Sequence, residues 1–325
     1  MSIEELKQEC SMYIENLSKA DPRFFVNFQH VQKFCNTINN SVTDECYNRM
    51  QNAYNCFCSI DRGEFYGKIT CEEIIKITKD FFNKVSPNLK DRFIAELNKG
   101  LISIDKNNPD KCLYLSKTVD GKEKHYCKVY IKHTGTIYDV LKLVHEFFHT
   151  LTDVIDYKRK IILDKNTLDY IQETVSILAE FTCAKYLEDT YPTEMRNNLL
   201  YRVYAAVYIS FQSGKITLHY LNSVMGGMSI EELQKKFFIS EIRDNIKKQR
   251  VPFSINHFAG TMISITKLQD IKEPLELLSD VFSIIENEEL EYIGKIIPMT
   301  LNASKVIESI SNEKSFQKTN KRNSE

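Results

Sequence analysis

Apolar residues in the first 98 positions recur every three or four residues, the spacing that is typical of amphipathic helices. The opening stretch shows this period most clearly, with an apolar stripe formed by Ile3, Leu6, Cys10, Tyr13, Ile14 and Leu17. Two residue pairs, Ser2 with Glu5 and Thr70 with Glu73, have the form of capping boxes, which begin helices. We therefore predict a helical N-terminal domain over residues 1–98.

The pattern changes after Gly100, where short stretches combine apolar runs with alternation of apolar and polar residues. These stretches lie at residues 101–104, 113–115 and 127–131. Asp120-Gly121, between the second and third stretches, is a typical hairpin turn. These features predict a small antiparallel β-sheet.

The helical period returns at Thr136, which with Asp139 is predicted to cap a long helix. Its apolar stripe consists of Ile137, Val140, Leu141, Val144, Phe148, Leu151 and Ile155. A second helix is predicted from about residue 168 to residue 189, and a later one begins at the capping box of Ser229 and Glu232. The chain is thus predicted to be mostly α.

These patterns divide the chain into three parts. The helical domain of residues 1–98 is followed by a second domain over residues 99–311, which contains the sheet and the later helices. The last residues, 312–325, are polar and without periodicity, and we predict that they are disordered.

Composition narrows the class of protein. The chain of 325 residues has only 10 glycines and 7 prolines, which favours helices over a sandwich of short strands. A net charge of −1 gives no general attraction to nucleic acid or to anionic membranes, so neither is predicted as a partner. Nine scattered cysteines without a CxxC pair, and the lack of a basic-then-apolar leader, predict a cytoplasmic protein.

The candidate chemistry lies in the long helix, where His145-Glu146-Phe147-Phe148-His149 has the form HExxH. Residues four apart on a helix differ by about 40° in direction, so His145 and His149 can direct both imidazoles to one point. Glu146 points to a neighbouring face, from which its carboxylate can reach a water at the metal. Burying two imidazoles and a carboxylate on an apolar helix without such a purpose would be costly. The motif predicts a Zn²⁺ site with His145 and His149 as ligands and Glu146 as general base.

A catalytic zinc site needs a third protein ligand and an open fourth position. The extended motif with a glycine and a third histidine is not present after His149. The next predicted helix offers Glu173 and Glu180, seven residues apart on one face. One of the two can bind the metal while the other accepts a ring N–H from a ligating histidine. The residues alone leave open which glutamate binds the metal and which accepts the ring N–H.

The order of these motifs resembles the thimet oligopeptidase and oligoendopeptidase F family, and the oligoendopeptidase F branch more closely. The resemblance rests on HExxH, on Glu173-Thr-x-Ser-x-x-x-Glu180 beginning 24 residues after His149, and on Val129-Tyr-Ile-Lys-His-Thr-Gly-Thr-Ile-Tyr-Asp-Val140 before the zinc helix. Ile230-Glu-Glu-Leu and Asn256-His-Phe258 follow in the family's order. The resemblance covers about residues 120–290.

The resemblance implies a mostly helical, zincin-like metallopeptidase that takes peptides as substrates. Zinc would be held by His145, His149 and Glu173, with Glu146 as general base and His257 near the substrate carbonyl. The strand at 129–131 would be an edge strand that a peptide joins by main-chain pairing.

Three features depart from the family's pattern. The tyrosine-rich run that follows the family's His-Phe is replaced here by Ala259-Gly-Thr-Met-Ile-Ser-Ile265, which has no tyrosine. Phe148 stands where the family commonly has glycine within HExxH. The chain is also about half the family's usual length, and the shortfall precedes the zinc motif.

These departures keep two alternatives open beside a general peptidase. The first is a zinc-binding descendant with weak catalysis that holds peptides or a protein partner. The second is a protease dedicated to one protein target, which would dock on residues 1–98. Other histidines and the stripe of Tyr201, Tyr204 and Tyr208 are predicted to be surface and core residues, although one of these tyrosines could supply the missing hydroxyl.

Overall fold

The computed structural model describes residues 2–18, 28–64, 66–119, 122–159, 165–238, 242, 253–297 and 301–311. Within these ranges, five helices precede the sheet: α1 (Ile3–Ser18), α2 (Phe28–Ser41), α3 (Asp44–Asp61), α4 (Cys71–Val85) and α5 (Pro87–Asn98). The sheet consists of β1 (Ile102–Asp105), β2 (Lys111–Val119) and β3 (Lys122–Lys132).

Helices also make up the part after the sheet. They are α6 (Tyr138–Arg159), α7 (Lys165–Leu187), α8 (Pro192–Tyr204), which continues as a π-helix (Ala205–Ser210), α9 (Phe211–Met225), α10 (Ile230–Lys236), α11 (Phe253–Asp270), α12 (Pro274–Glu286), a 3₁₀ turn (Leu290–Tyr292), α13 (Ile293–Ile296) and α14 (Ala303–Ser311). The predicted mostly α class is confirmed. No helix in the described ranges combines the length and the apolar character needed to cross a bilayer.

The predicted helix starts are largely confirmed. Ser2 and Glu5 exchange backbone-to-side-chain hydrogen bonds, and the same reciprocal pattern occurs at Thr70 with Glu73 and at the start of α10. Each exchange satisfies two backbone N–H groups that have no partner inside the helix. The local sequence therefore determined where these helices begin.

The sheet differs from the prediction in its pairing. Its strand order is β1-β3-β2, with β2 antiparallel to β3 but β1 parallel to it. The sheet is therefore mixed. Val129 and Tyr130 of β3 pair with both neighbouring strands, and Ile131 pairs with β1, so the expectation that residues 129–131 form a peptide-accepting edge is wrong. Among the described strands, β1 and β2 are the edges, and the predicted turn at Asp120-Gly121 lies outside the described residues.

A continuous hydrophobic cluster extends from α2 to α14. It contains buried residues of the helices that precede the sheet in the chain and of those that follow it. A smaller cluster joins α1 to α9 and α10. Within the large cluster, α7 packs between α6 and α11, and β3 packs on α6. The boundary predicted between residues 98 and 99 stays a prediction, and residues 312–325 lie outside the described ranges.

The turn that leads into α6 is held by Asp139. Its carboxylate accepts hydrogen bonds from the N–H groups of Thr134 and Gly135 at 2.8 and 2.9 Å, and from the Thr134 hydroxyl at 2.6 Å. The predicted cap is therefore modified: the Thr136 hydroxyl bonds to the Thr134 hydroxyl, and Asp139 organises the preceding turn. This turn fixes the start of the helix that carries the HExxH motif.

A pair of glycines brings the segment after α3 against the same turn. Gly67 donates to the Thr134 carbonyl at 2.9 Å, and a Cβ at Gly67 would lie only 2.0 Å from the Gly135 carbonyl oxygen. Gly135 itself has φ of +70°, a conformation that glycine adopts without strain. The two backbones can approach this closely only because neither residue has a side chain.

We expect Gly67→Ala to lower the free energy of unfolding by about 1–3 kcal/mol or more, since backbone atoms must move to admit the methyl group. Urea titration measures this difference. Lys68→Ala is the matched control, because Lys68 is exposed and lies next to Gly67 in the same segment. Equal stability of the two variants would contradict the close approach.

Candidate metal centre

Three helices bring the candidate ligands together. On α6, His145 and His149 are four residues apart and share one face. On α7, which is buried all round from residue 170 to residue 184, Glu173 and Glu180 are two turns apart. His257 comes from the second turn of α11, which packs against α7. The site is therefore built on helices of the large hydrophobic cluster.

Four donor atoms converge in this site. The Nε2 atoms of His145 and His149 are 3.2 Å apart. The Glu173 carboxylate lies 3.8 Å from His145 Nε2, 3.7 Å from His149 Nε2 and 3.3 Å from His257 Nε2. The donor atoms of His145, Glu173 and His257 all lie within 4.8 Å of one another. All four side chains are mostly buried, with exposed fractions between 6% and 20%.

These separations fit a tetrahedral metal. With metal–ligand bonds of about 2.0–2.2 Å, neighbouring ligand atoms of a tetrahedral site lie about 3.3–3.6 Å apart. The observed distances of 3.2 to 3.8 Å span that range. Imidazole nitrogen and carboxylate oxygen are also the donors that zinc takes in catalytic sites. The residues present therefore fit a zinc ion in both type and spacing.

Glu180 holds His145 in the orientation that a ligand needs. The Nδ1–H of His145 donates to Glu180 Oε2 at 3.1 Å, because a carboxylate can only accept. The lone pair of the ring is therefore on Nε2, which faces Glu173. This arrangement corresponds to the second of the two roles that the sequence left open for the glutamates.

Two residues of α8 in turn hold Glu180. Arg202 donates from Nε to Glu180 Oε1 at 2.9 Å and also contacts Oε2, and Asn198 donates to Oε1 at 3.1 Å. Burial alone would raise the pKa of Glu180, but the charge of Arg202 and the bond to His145 lower it to about 2. Glu180 is therefore an anion whose two oxygens accept hydrogen bonds from Arg202, Asn198 and His145. The last of these bonds fixes the orientation of the His145 ring.

The neutral form is favoured for His149 and His257. Burial lowers the pKa of both imidazoles well below the ordinary value, and the charge of His145 adds to this effect. For His145, burial acts in the same direction, but the hydrogen bond to Glu180 and the charge of Glu146 outweigh it and raise the pKa. Neutral imidazoles carry the lone pair that metal binding requires.

Glu146 lies beside the ligand group and contacts the sheet. Its carboxylate accepts the backbone N–H of Cys112 at the start of β2. Burial raises the pKa of Glu146 above its ordinary value, and the charge of Asp110 contributes, against the opposing effects of His145 and the Cys112 N–H. A carboxyl group with a raised pKa is a stronger base, which suits a residue that takes a proton from water.

Phe148, the bulky residue within HExxH, packs in an aromatic cluster between α6 and α4. It is fully buried, and its ring lies 6.2 Å from that of Phe82 on α4, which also contacts Phe147 at 5.2 Å. Helix α4 thus packs against the HExxH helix through Phe82, Phe147 and Phe148.

The tyrosine-free segment after His257 is part of the core. Residues 258–266 of α11 are all buried, and Gly260 faces α7 at Thr174 and Glu173. The stripe of Tyr201, Tyr204 and Tyr208 packs against the large cluster; Tyr201 stacks on Phe57 with ring centroids 4.1 Å apart. These tyrosines therefore have the predicted packing role.

Sequence reasoning missed Arg202, Asn198 and Gly260. Asn198 and Arg202 are four residues apart on α8, so they share a face, but surface residues often do so. Nothing in the local pattern indicates that this face turns toward α7. Gly260 stands inside a helical pattern, which signals a close helix contact without identifying the partner.

Comparisons with known proteins support the fold. No family model matches the chain, and no curated protein matches it significantly. The structure is similar to one described as the crystal structure of a "putative oligoendopeptidase F" from Bacillus anthracis str. Ames, with a TM-score of 0.59 at 13% sequence identity. The match covers 93% of this chain and 57% of that chain, so this chain spans little more than half the length of that protein. The resemblance to that family is thus supported at the level of the fold.

Proposed function

We propose that this protein is a zinc metallopeptidase that hydrolyses peptide bonds in short or unfolded peptides. The observation that carries the proposal is the convergence of His145, His149 and Glu173, with Glu146 next to them and Glu180 behind His145. The similarity to a structure described as an oligoendopeptidase supports the same reaction class. As that similarity is one of fold, the site geometry carries the chemistry.

His145, His149 and Glu173 would hold the metal. When bound, the metal would act as a Lewis acid that activates water and polarises the scissile carbonyl. Glu146 takes the proton from the attacking water and passes it to the leaving amine. Glu180 keeps the proton of His145 on Nδ1, so Nε2 stays available. The buried helices α7 and α11 exclude bulk water from the inner side of the site.

A peptide substrate would lie along the outer edge of strand β2. This strand is an edge of the described sheet, and its Cys112 contacts Glu146 through the backbone. A peptide that pairs with the outer side of β2 as an added strand would pass directly beside Glu146. In this proposal, β2 takes the role that the sequence analysis expected of residues 129–131.

The tyrosine-free core segment 259–265 favours a second candidate function, a zinc-loaded protein that binds peptides with little catalysis. Loss of one oxyanion donor typically lowers kcat by about 10²–10³-fold. Because a peptidase accelerates hydrolysis by many orders of magnitude, such a loss slows the reaction without abolishing it. We therefore favour a slow peptidase over a pure binding protein.

The two functions are separated by incubating the zinc-loaded protein with a diverse library of quenched peptides. We expect slow cleavage that stops when a metal chelator is added and returns with Zn²⁺. His219→Ala, at an exposed position of α9, is the matched control and should cleave like wild type. Zinc-loaded protein that binds peptides from the library but cuts none would favour the binding function.

A further inference from the structure

Four protein side chains, one more than a catalytic zinc site uses, direct donor atoms into the metal centre. His257 Nε2 lies 3.3 Å from Glu173 Oε2, which is closer than either HExxH histidine lies to that carboxylate. Its donor atom also lies within 4.8 Å of the donor atom of His145. His257 thus belongs to a group of three donors that lie within 4.8 Å of one another, and His149 adjoins that group through His145, with the two Nε2 atoms 3.2 Å apart.

We propose that His257 is a fourth metal ligand in the resting protein, and that substrate must displace it before water can reach the metal. This inference rests on the proposed function, since it concerns the same metal. A zinc ion with four protein ligands has the closed coordination of a structural site, whereas catalysis needs one open position. Displacement of His257 opens that position, and the freed imidazole stays close enough to contact the substrate carbonyl.

The packing of α11 on α7 holds His257 in reach of the metal. One turn beyond His257, Gly260 lies against α7: a Cβ there would be 3.2 Å from the Thr174 Cα, 3.3 Å from the Glu173 carbonyl carbon and 2.9 Å from the Ile177 Cδ1. The two helices are therefore as close as a glycine permits. The rings of His257 and His145 are parallel within 6°, with centroids 5.9 Å apart, so both present an edge toward Glu173.

Exposure explains why His257 would be the ligand that leaves. Its side chain is 20% exposed, against 14% for His149 and 6% for His145, so it is the donor most accessible to an incoming peptide. His145 is held from behind by Glu180.

Zinc X-ray absorption tests the proposal by counting the imidazoles bound to the metal. We expect three imidazoles in wild type and in the control His219→Ala, and two in His257→Ala. The zinc dissociation constant of His257→Ala should rise at least about tenfold, since even groups behind a ligand contribute 10- to 100-fold. Gly260→Ala, which pushes α11 away from α7, should weaken the third imidazole signal while leaving zinc bound.

Substrate displacement is tested on Glu146→Gln, which should bind a peptide without cutting it. Saturation with peptide is expected to lower the imidazole count from three to two. Two imidazoles in peptide-free wild type would overturn the proposal while leaving the peptidase assignment intact. Wild type that binds no zinc would overturn both. The wild-type count needs no variant, so misfolding of His257→Ala leaves the test in force.

Discussion

Glu146→Gln is expected to slow peptide hydrolysis by about 10²–10⁴-fold while leaving the metal bound. The residue sits on α6 between the two HExxH histidines, but its carboxylate turns to the Cys112 N–H of β2 rather than to the ligand group. A glutamine keeps the size and the hydrogen bond but cannot accept a proton from water. The loss corresponds to about 2.7–5.4 kcal/mol of transition-state stabilisation.

The measurement is kcat/KM on a cleaved library peptide, with zinc determined in the same samples. Glu188→Gln makes the same substitution at the end of α7, away from the metal, and should leave the rate near wild type. A Glu146→Gln enzyme with full zinc and an undiminished rate would remove Glu146 from the mechanism.

The second large effect is expected for Glu180→Gln, which should lower the free energy of unfolding by about 3–5 kcal/mol. Glu180 is 2% exposed and is the ion-pair partner of Arg202, which is 16% exposed. Replacing the anion leaves a buried guanidinium without its counter-charge. The variant should also bind zinc about 10- to 100-fold more weakly, because a glutamine has one acceptor oxygen where the carboxylate has two, and it cannot accept from His145 and from both Asn198 and Arg202 as Glu180 does.

Urea unfolding of the metal-free proteins and zinc titration of the folded ones measure the two effects separately. Glu188→Gln again serves as control: its partner Lys185 is 41% exposed, and burial raises the pKa of Glu188, so a neutral side chain costs little there. A change below about 1 kcal/mol for Glu180→Gln, the range of exposed ion pairs, would contradict its role as the buried anchor of the site.

The sequence predicted the parts of the site that depend on helix geometry. The four-residue spacing of His145 and His149 and the seven-residue spacing of Glu173 and Glu180 determine a common face wherever the helices run. The capping boxes of Ser2 and Thr70 are equally local, since every partner lies within three residues. Such features need no knowledge of the tertiary fold.

What the sequence could not give depends on contacts between distant elements. The parallel pairing of β1 with β3 joins residues 27 positions apart, Ile102 with Val129, and no local alternation encodes it. Residues 170–184 of α7 are all buried, so burial could not distinguish Glu173 from Glu180. The tertiary structure distinguishes their surroundings, because Arg202 of α8 contacts Glu180 and His257 of α11 contacts Glu173.

The segment after His257 shows the limit of reasoning from a missing residue type. Its lack of tyrosine indicated altered chemistry, and the structure places residues 258–266 in the core against α7. The close contact at Gly260 explains why small and apolar residues occupy this stretch.

The metal content of the purified protein tests the central claim most directly. We expect about one zinc per chain in wild type, far less in His149→Ala, and a melting temperature of wild type that rises with added Zn²⁺. Zinc at 100 times its dissociation constant would stabilise the fold by about 2.7 kcal/mol. Wild type that holds no metal, and whose melting temperature does not respond to Zn²⁺, would contradict the assignment of His145, His149 and Glu173 as a zinc site.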